Sequence, residues 1–157
     1  MARETKRDLV GQVIGLAREQ QAANEAFDEV AYEKLGINRT DGRCLDIIEN
    51  QGPLTAGRLA ELSGLTTAAV TSVLDRLERA GYARRVRSET DRRQVMVELT
   101  PLMAERGGEI WGPLGEEAME EFSRQSVDEL KLVMDFFRRG LDLNKRHLER
   151  VRNLSFD

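Results

Sequence analysis

Between residues 76 and 93 the chain carries Arg76, Arg79, Arg84, Arg85, Arg87, Arg92 and Arg93, with no lysine among them. Guanidinium is the cation whose planar fork fits a phosphate or the acceptor edge of guanine. The whole chain is acidic, −4 from 24 basic and 28 acidic groups, which by itself argues against a general nucleic-acid binder. Distribution reverses that reading. Residues 55–100 hold 8 basic against 6 acidic groups, whereas 1–54 hold 7 against 10 and 101–157 hold 9 against 12. Any binding must therefore rely on a local positive island.

Other chemistry is poorly provided for. His147 is the one histidine and Cys44 the one cysteine, and neither has a sequence neighbour that would complete a nucleophile and base pair. No glycine-rich phosphate loop or metal-spaced cluster occurs, so no enzyme activity and no cofactor are expected. One cysteine cannot form an intrachain disulfide and fits a reducing compartment. No apolar run exceeds three residues, so neither a membrane span nor a signal peptide is expected, and the expected location is cytoplasmic.

The elements that would position the arginines can be read from spacing. Apolar residues from Leu9 to Ala31 predict a long first helix, over about 4–33 and ended near Gly36. A second helix is predicted over 40–50, with Leu45, Ile47 and Ile48 inward and Gly52-Pro53 closing it. Thr55 is placed to cap a helix through Leu62, Gly64 supplies a turn, and another helix starts at Thr66 or Thr67. In that helix Val70, Val73, Leu74 and Leu77 form a buried stripe and Gly81 supplies the stop. Two helices joined by so short a glycine-containing turn make a helix-turn-helix.

The period then changes. Tyr82–Arg87 and the alternation of Val95, Val97 and Leu99 predict two strands around the polar turn 88–93, a β-hairpin wing. Thr100-Pro101 opens a further helix to about Phe122, which Gly107-Gly108, Gly112-Pro113 and Gly115 should kink or break near Trp111. Ser126 and Glu129 form a capping box for a last helix, striped by Leu130, Val133, Met134, Phe137, Leu141, Leu148 and Val151. The expected fold is mainly α with a small β-hairpin wing: a winged helix-turn-helix with long N- and C-terminal dimerisation helices. Its segments are 1–38 (N-terminal dimerisation helix), 39–100 (DNA-binding domain) and 101–157 (C-terminal dimerisation helices).

On the helix starting near Thr66, the face opposite Val70 and Leu77 carries Ala68, Thr71, Ser72, Asp75, Arg76 and Arg79. Its first turns are small and hydroxylated, as a major-groove helix requires: Ala68 can meet a thymine methyl, and Thr71 and Ser72 a phosphate or base edge. Arg76 could reach guanine or phosphate one turn on. Thr66 and Thr67 lie at the helix N-terminus, where free N–H groups favour a phosphate, although simple capping accounts for Thr66. Cys44, among apolar neighbours, reads as structural and His147 as a surface residue.

The stretch GPLTAGRLAELSGLTTAAVTSVLDRLERAGYARR followed by DRRQVMVELT resembles the MarR family of winged helix-turn-helix transcriptional regulators. The resemblance implies a homodimer, more often a repressor, that binds double-stranded DNA at an inverted-repeat operator and is released by a small phenolic or carboxylate effector. It further implies that Arg93 of the Asp-x-Arg wing tip enters the minor groove, that Asp91 supports it, and that Arg92 meets phosphate. Arg85 matches a family position at the start of the wing and serves equally well as a strand-face ion-pair partner. The alternative function is a winged-helix protein-interaction module without DNA binding, which would expose an apolar patch in place of this polar helix face.

Overall fold

The computed structural model describes residues 4–88, 91 and 93–155, and it divides the chain into two compact units, one running to Ile110 and the other starting at Trp111. Helix α1 (Lys6–Leu35) starts at a capping box in which the Thr5 hydroxyl accepts from the Asp8 N–H while the Asp8 carboxylate accepts from the Thr5 N–H. It ends at Gly36, whose φ of +68° suits only a residue without a Cβ. Helix α2 (Arg39–Gln51) is capped by Asn38. Strand β1 (Leu54–Thr55) leads into α3 (Ala56–Ser63), Gly64 makes the turn at φ +71°, and α4 (Thr67–Ala80) follows from its cap Thr66.

Strands β2 (Ala83–Arg87) and β3 (Val95–Leu99) pair antiparallel with Ala83 opposite Leu99 and Arg87 opposite Val95. The sheet has three strands, in the order β1-β3-β2, because Leu54 and Thr55 pair with Val97 and Met96. Sequence periodicity does not reveal β1, since two residues are too few to alternate. Every buried hydrophobic residue among those described lies between Ala31 and Met103, and the predicted stripe Val70, Val73, Leu74 and Leu77 is at its centre. One inward expectation needs correcting: Ile47 is only half-buried, whereas Cys44 three residues earlier is fully buried. Val95, paired with Arg87 beside the hairpin turn, is half-exposed.

Of the expected kink or break near Trp111, the break is overturned: α5 (Pro101–Ser123) runs as one helix through Gly107, Gly108, Gly112, Pro113 and Gly115. Glycine tolerates helical backbone at an entropic cost, and Pro113 forfeits one N–H bond without ending the ladder. Thr100 anchors its start: the hydroxyl accepts from the Met103 N–H at 3.2 Å and donates to the Gly81 carbonyl at 2.6 Å. In the second unit, α6 (Val127–Arg152) begins at the predicted Ser126–Glu129 capping box and buries none of its residues. No described helix is long and apolar enough to cross a membrane.

Candidate nucleic-acid interface

Helix α4 turns its apolar stripe inward, and geometry then dictates what faces out: Thr66, Thr67, Ala68, Thr71 and Ser72 are all exposed. The Thr66 hydroxyl accepts from the Ala69 N–H at 3.2 Å, so its side chain is a cap. Thr71 donates its hydroxyl proton to the Thr67 carbonyl (3.0 Å) and Ser72 to the Ala68 carbonyl (3.1 Å). These back-bonds leave the oxygen lone pairs facing outward as acceptors.

Arg76 is directed elsewhere. Its Nε donates to both Asp41 carboxylate oxygens (3.2 and 3.1 Å) and its Nη2 to Oδ1 at 2.5 Å, joining α4 to α2 across 35 positions of sequence. The Asp41 side chain is only 3% exposed, against 39% for Arg76. These hydrogen bonds hold the guanidinium pKa above its ordinary value. The expectation that Arg76 reaches DNA from the exposed face therefore meets a side chain already engaged, by a partner that no local pattern could reveal.

Arg85 is likewise committed to the fold. It pairs with Glu78 and, at 2.9 Å, with Asp75, while its backbone N–H donates to Glu78 Oε1 at 2.9 Å. Side chain and main chain together tie β2 to α4. Arg84 lies opposite Glu98 across the hairpin and bonds it through Nε at 2.7 Å. Arg79, Arg87 and Arg93 are exposed, and among the described residues Arg79 and Arg87 form no ion pair.

At the wing tip Asp91 organises the turn. Its carboxylate accepts from the Arg93 backbone N–H (3.0 Å) and from Gln94 Nε2 (3.3 Å), its own N–H donates to the Ser88 hydroxyl (3.2 Å), and its carbonyl accepts from the Gln94 N–H (2.8 Å). An aspartate that bonds the backbone two residues on is a built-in turn former. The Arg93 side chain is 95% exposed, with Nε 3.7 Å from Asp91, a loose ion pair. Arg92, expected to meet phosphate, lies outside the described residues.

Two further features lie outside α4 and the wing. Cys44 is fully buried, and burial, reinforced by the Asp41 charge, pushes its thiol up to about 11. A cleft of about 580 Å³ between α1 and α2 is lined by Glu25, Asp28, Glu29, Glu33 and Asp46 against Arg39 and Arg43, with Tyr32 beside them. Burial and the neighbouring Asp28 charge raise the Asp46 pKa, and Tyr32, desolvated and facing Asp46 at 3.4 Å, is pushed up to about 12.

The comparisons agree with this architecture. Residues 37–95 match the family model described as MarR family. An uncharacterised helix-turn-helix-type transcriptional regulator, YcgE of Bacillus subtilis, is 33% identical over 152 residues, covering 96% of this chain and 97% of the relative. A second B. subtilis regulator, YfiV, is 31% identical over 80% of this chain and 76% of its own length. The transcriptional regulator Tm0710 of Thermotoga maritima superposes with a TM-score of 0.60 at 20% identity, over 88% of this chain and 98% of that one. Apo MarR of E. coli does so at 0.55 and 21%, over 83% and 96%. With its winged module and near full-length likeness to these regulators, the chain belongs to the MarR family of winged helix-turn-helix transcriptional regulators.

Proposed function

We propose that the chain acts as a homodimer that binds double-stranded DNA sequence-specifically at an inverted-repeat operator, as a repressor, and that a small effector releases it. One observation carries the DNA reading: a small, hydroxyl-bearing helix face and a nearly fully exposed arginine project from the same three-stranded module. Ala68, Thr71 and Ser72 form the major-groove face, with Thr66 and Thr67 at the phosphate-facing helix end. Arg93 enters the minor groove, supported by Asp91, where narrow A·T-rich sequence concentrates negative potential. Arg92 contacts phosphate. Arg76 acts through the fold.

A protein-interaction module is disfavoured by the surface itself. Between residues 54 and 100 the one large hydrophobic side chain exposed among the described residues is Val95, too little for an apolar docking patch. The α1–α2 cleft carries five carboxylates against two arginines, so a phenolate or carboxylate effector would be repelled there and must bind at another surface. Selection of bound duplexes from a random pool tests the function. Dyad-symmetric sequences support it, and recovery of no preferred sequence refutes it.

A further inference from the structure

We propose that Asp41 is a positioning residue for DNA reading: by gripping the Arg76 guanidinium it fixes the rotation at which α4 presents Ala68, Thr71 and Ser72. The inference rests on α4 being the major-groove helix. Arg76 stands four residues after Ser72 and eight after Ala68, so it follows them by whole turns on one side of α4. From there a free arginine would reach DNA, yet it turns back to α2.

The partner is built to hold it. Asp41 lies in the first turn of α2, its N–H capped by Asn38 Oδ1 at 3.0 Å, and the helix N-terminus favours its negative charge. Immediately after it, Gly42 lets the Tyr32 ring of α1 sit where a Cβ would stand, so α2 is itself wedged in place. The rest of the α4 seat is the apolar stripe Val70, Val73, Leu74 and Leu77, whose burial has little directionality, and the Arg85 tie from β2 to Asp75 and Glu78. Among the described residues Asp41 thus supplies the one directional hold on α4 that comes from α2. A fork-shaped, charge-assisted pair is far more directional than the stripe. Replacing a buried ion pair by hydrophobic side chains often leaves stability unharmed, and here only the Asp41 end is buried, so the value assigned to this pair is geometric.

The test compares Asp41→Asn, Arg76→Gln, Arg76→Lys and the Asp41→Asn/Arg76→Gln double variant. Each is titrated against a selected operator and a scrambled duplex at several salt concentrations, well below its melting temperature. The proposal expects each single variant to lose about tenfold or more on the operator, with the double variant no worse than either, because both remove one coupled interaction. Arg76→Lys, which keeps the charge and loses the fork, should show most of the same loss. Scrambled-duplex affinity and the salt slope should stay unchanged.

If Arg76 were instead a phosphate contact, Asp41→Asn would free it and tighten binding, and Arg76→Gln would lower the salt slope by about one. Either result overturns the proposal, as do equal losses on both duplexes. A wild-type protein that selects no sequence refutes the major-groove reading, and the hold on α4 is then read without DNA. Amide hydrogen exchange across Val70–Leu77 should accelerate in Asp41→Asn and Arg76→Gln, and unchanged exchange in both overturns the role of the pair.

Discussion

Two arginines seventeen positions apart illustrate how residue type underdetermines role. Arg76 is bent onto a buried carboxylate, whereas Arg93 projects into solvent from a turn that Asp91 holds through backbone bonds. The wing prediction follows from that contrast. Arg93→Ala should weaken the operator complex by about 1 to 3 kcal/mol and reduce the preference for A·T pairs beneath the wing. Arg92→Ala should weaken operator and scrambled duplexes alike, lowering the salt slope by about one. Titration of both variants on both duplexes decides it, and equal losses for Arg93→Ala would remove the groove assignment. Cys44 supports a second prediction. Its thiol is pushed up to about 11, so in the folded protein it stays protonated and unreactive at neutral pH, whereas the unfolded thiol ionises near 9. Unfolding is thus favoured as pH climbs from about 9 toward 11. Ellman's reagent should label Cys44 only on unfolding. Cys44→Ser should lose less stability than wild type between pH 8 and 10.5, with DNA binding unaltered by peroxide in either protein. Rapid labelling of the native thiol would contradict this.

Local patterns announce elements whose stabilising contacts are themselves local. The stripe and caps of α4, the Ser126–Glu129 box and the hairpin all follow from residues within a few positions of one another, and all are found where the spacing puts them. Partners distant in sequence were illegible: the Asp41–Arg76 pair and the pairing of β1 with β3. For Arg85 the ion-pair role is one of two readings the sequence leaves open, but no local pattern names its partners Asp75 and Glu78. The converse failure is α5, where glycine and proline signal a break that a long helix with one missing bond absorbs. Close approach between helices is also unreadable locally, and Gly42 is the instance that matters. A Cβ there would overlap the Tyr32 ring, placed between α1 and α2. Gly42→Ala should therefore destabilise the first unit by about 1 to 3 kcal/mol, despite the better helix propensity of alanine. Urea unfolding measures this directly. A stabilised variant would show that the ring can move aside at no cost and that Gly42 does not wedge α2.

At the scale of the molecule, the question is what covers the apolar surface of the two ends. In α1, Leu9, Val10, Val13, Ile14 and Leu16 are all roughly half-exposed or more, and so in the second unit are Met134, Phe136, Phe137, Leu141, Leu148 and Val151. A monomer that left so many large hydrophobic side chains in water would aggregate, since contiguous apolar area of this kind marks an interaction surface. A second copy of the chain is the partner we propose, with α1 and α6 as its interface. Covering the exposed half of each such side chain is worth about half of the ~1.5 to 3 kcal/mol for burying it whole, and so many of them together suffice for a dimer at micromolar concentration even after the cost of association. Phe137→Glu with Leu141→Glu should then convert the sedimenting species from about twice 17.8 kDa to the 17.8 kDa chain. It should leave the first unit folded, because neither residue belongs to the buried core there. Operator affinity should collapse to that of one module, since a two-fold dimer gains from two half-sites whose centres lie about 34 to 36 Å apart, one helical turn of DNA. Inserting five base pairs between the half-sites of the wild-type operator should do the same by moving one half-site to the opposite face of the duplex. A wild-type chain that sediments as a monomer, or an operator indifferent to the insertion, would refute the two-fold arrangement.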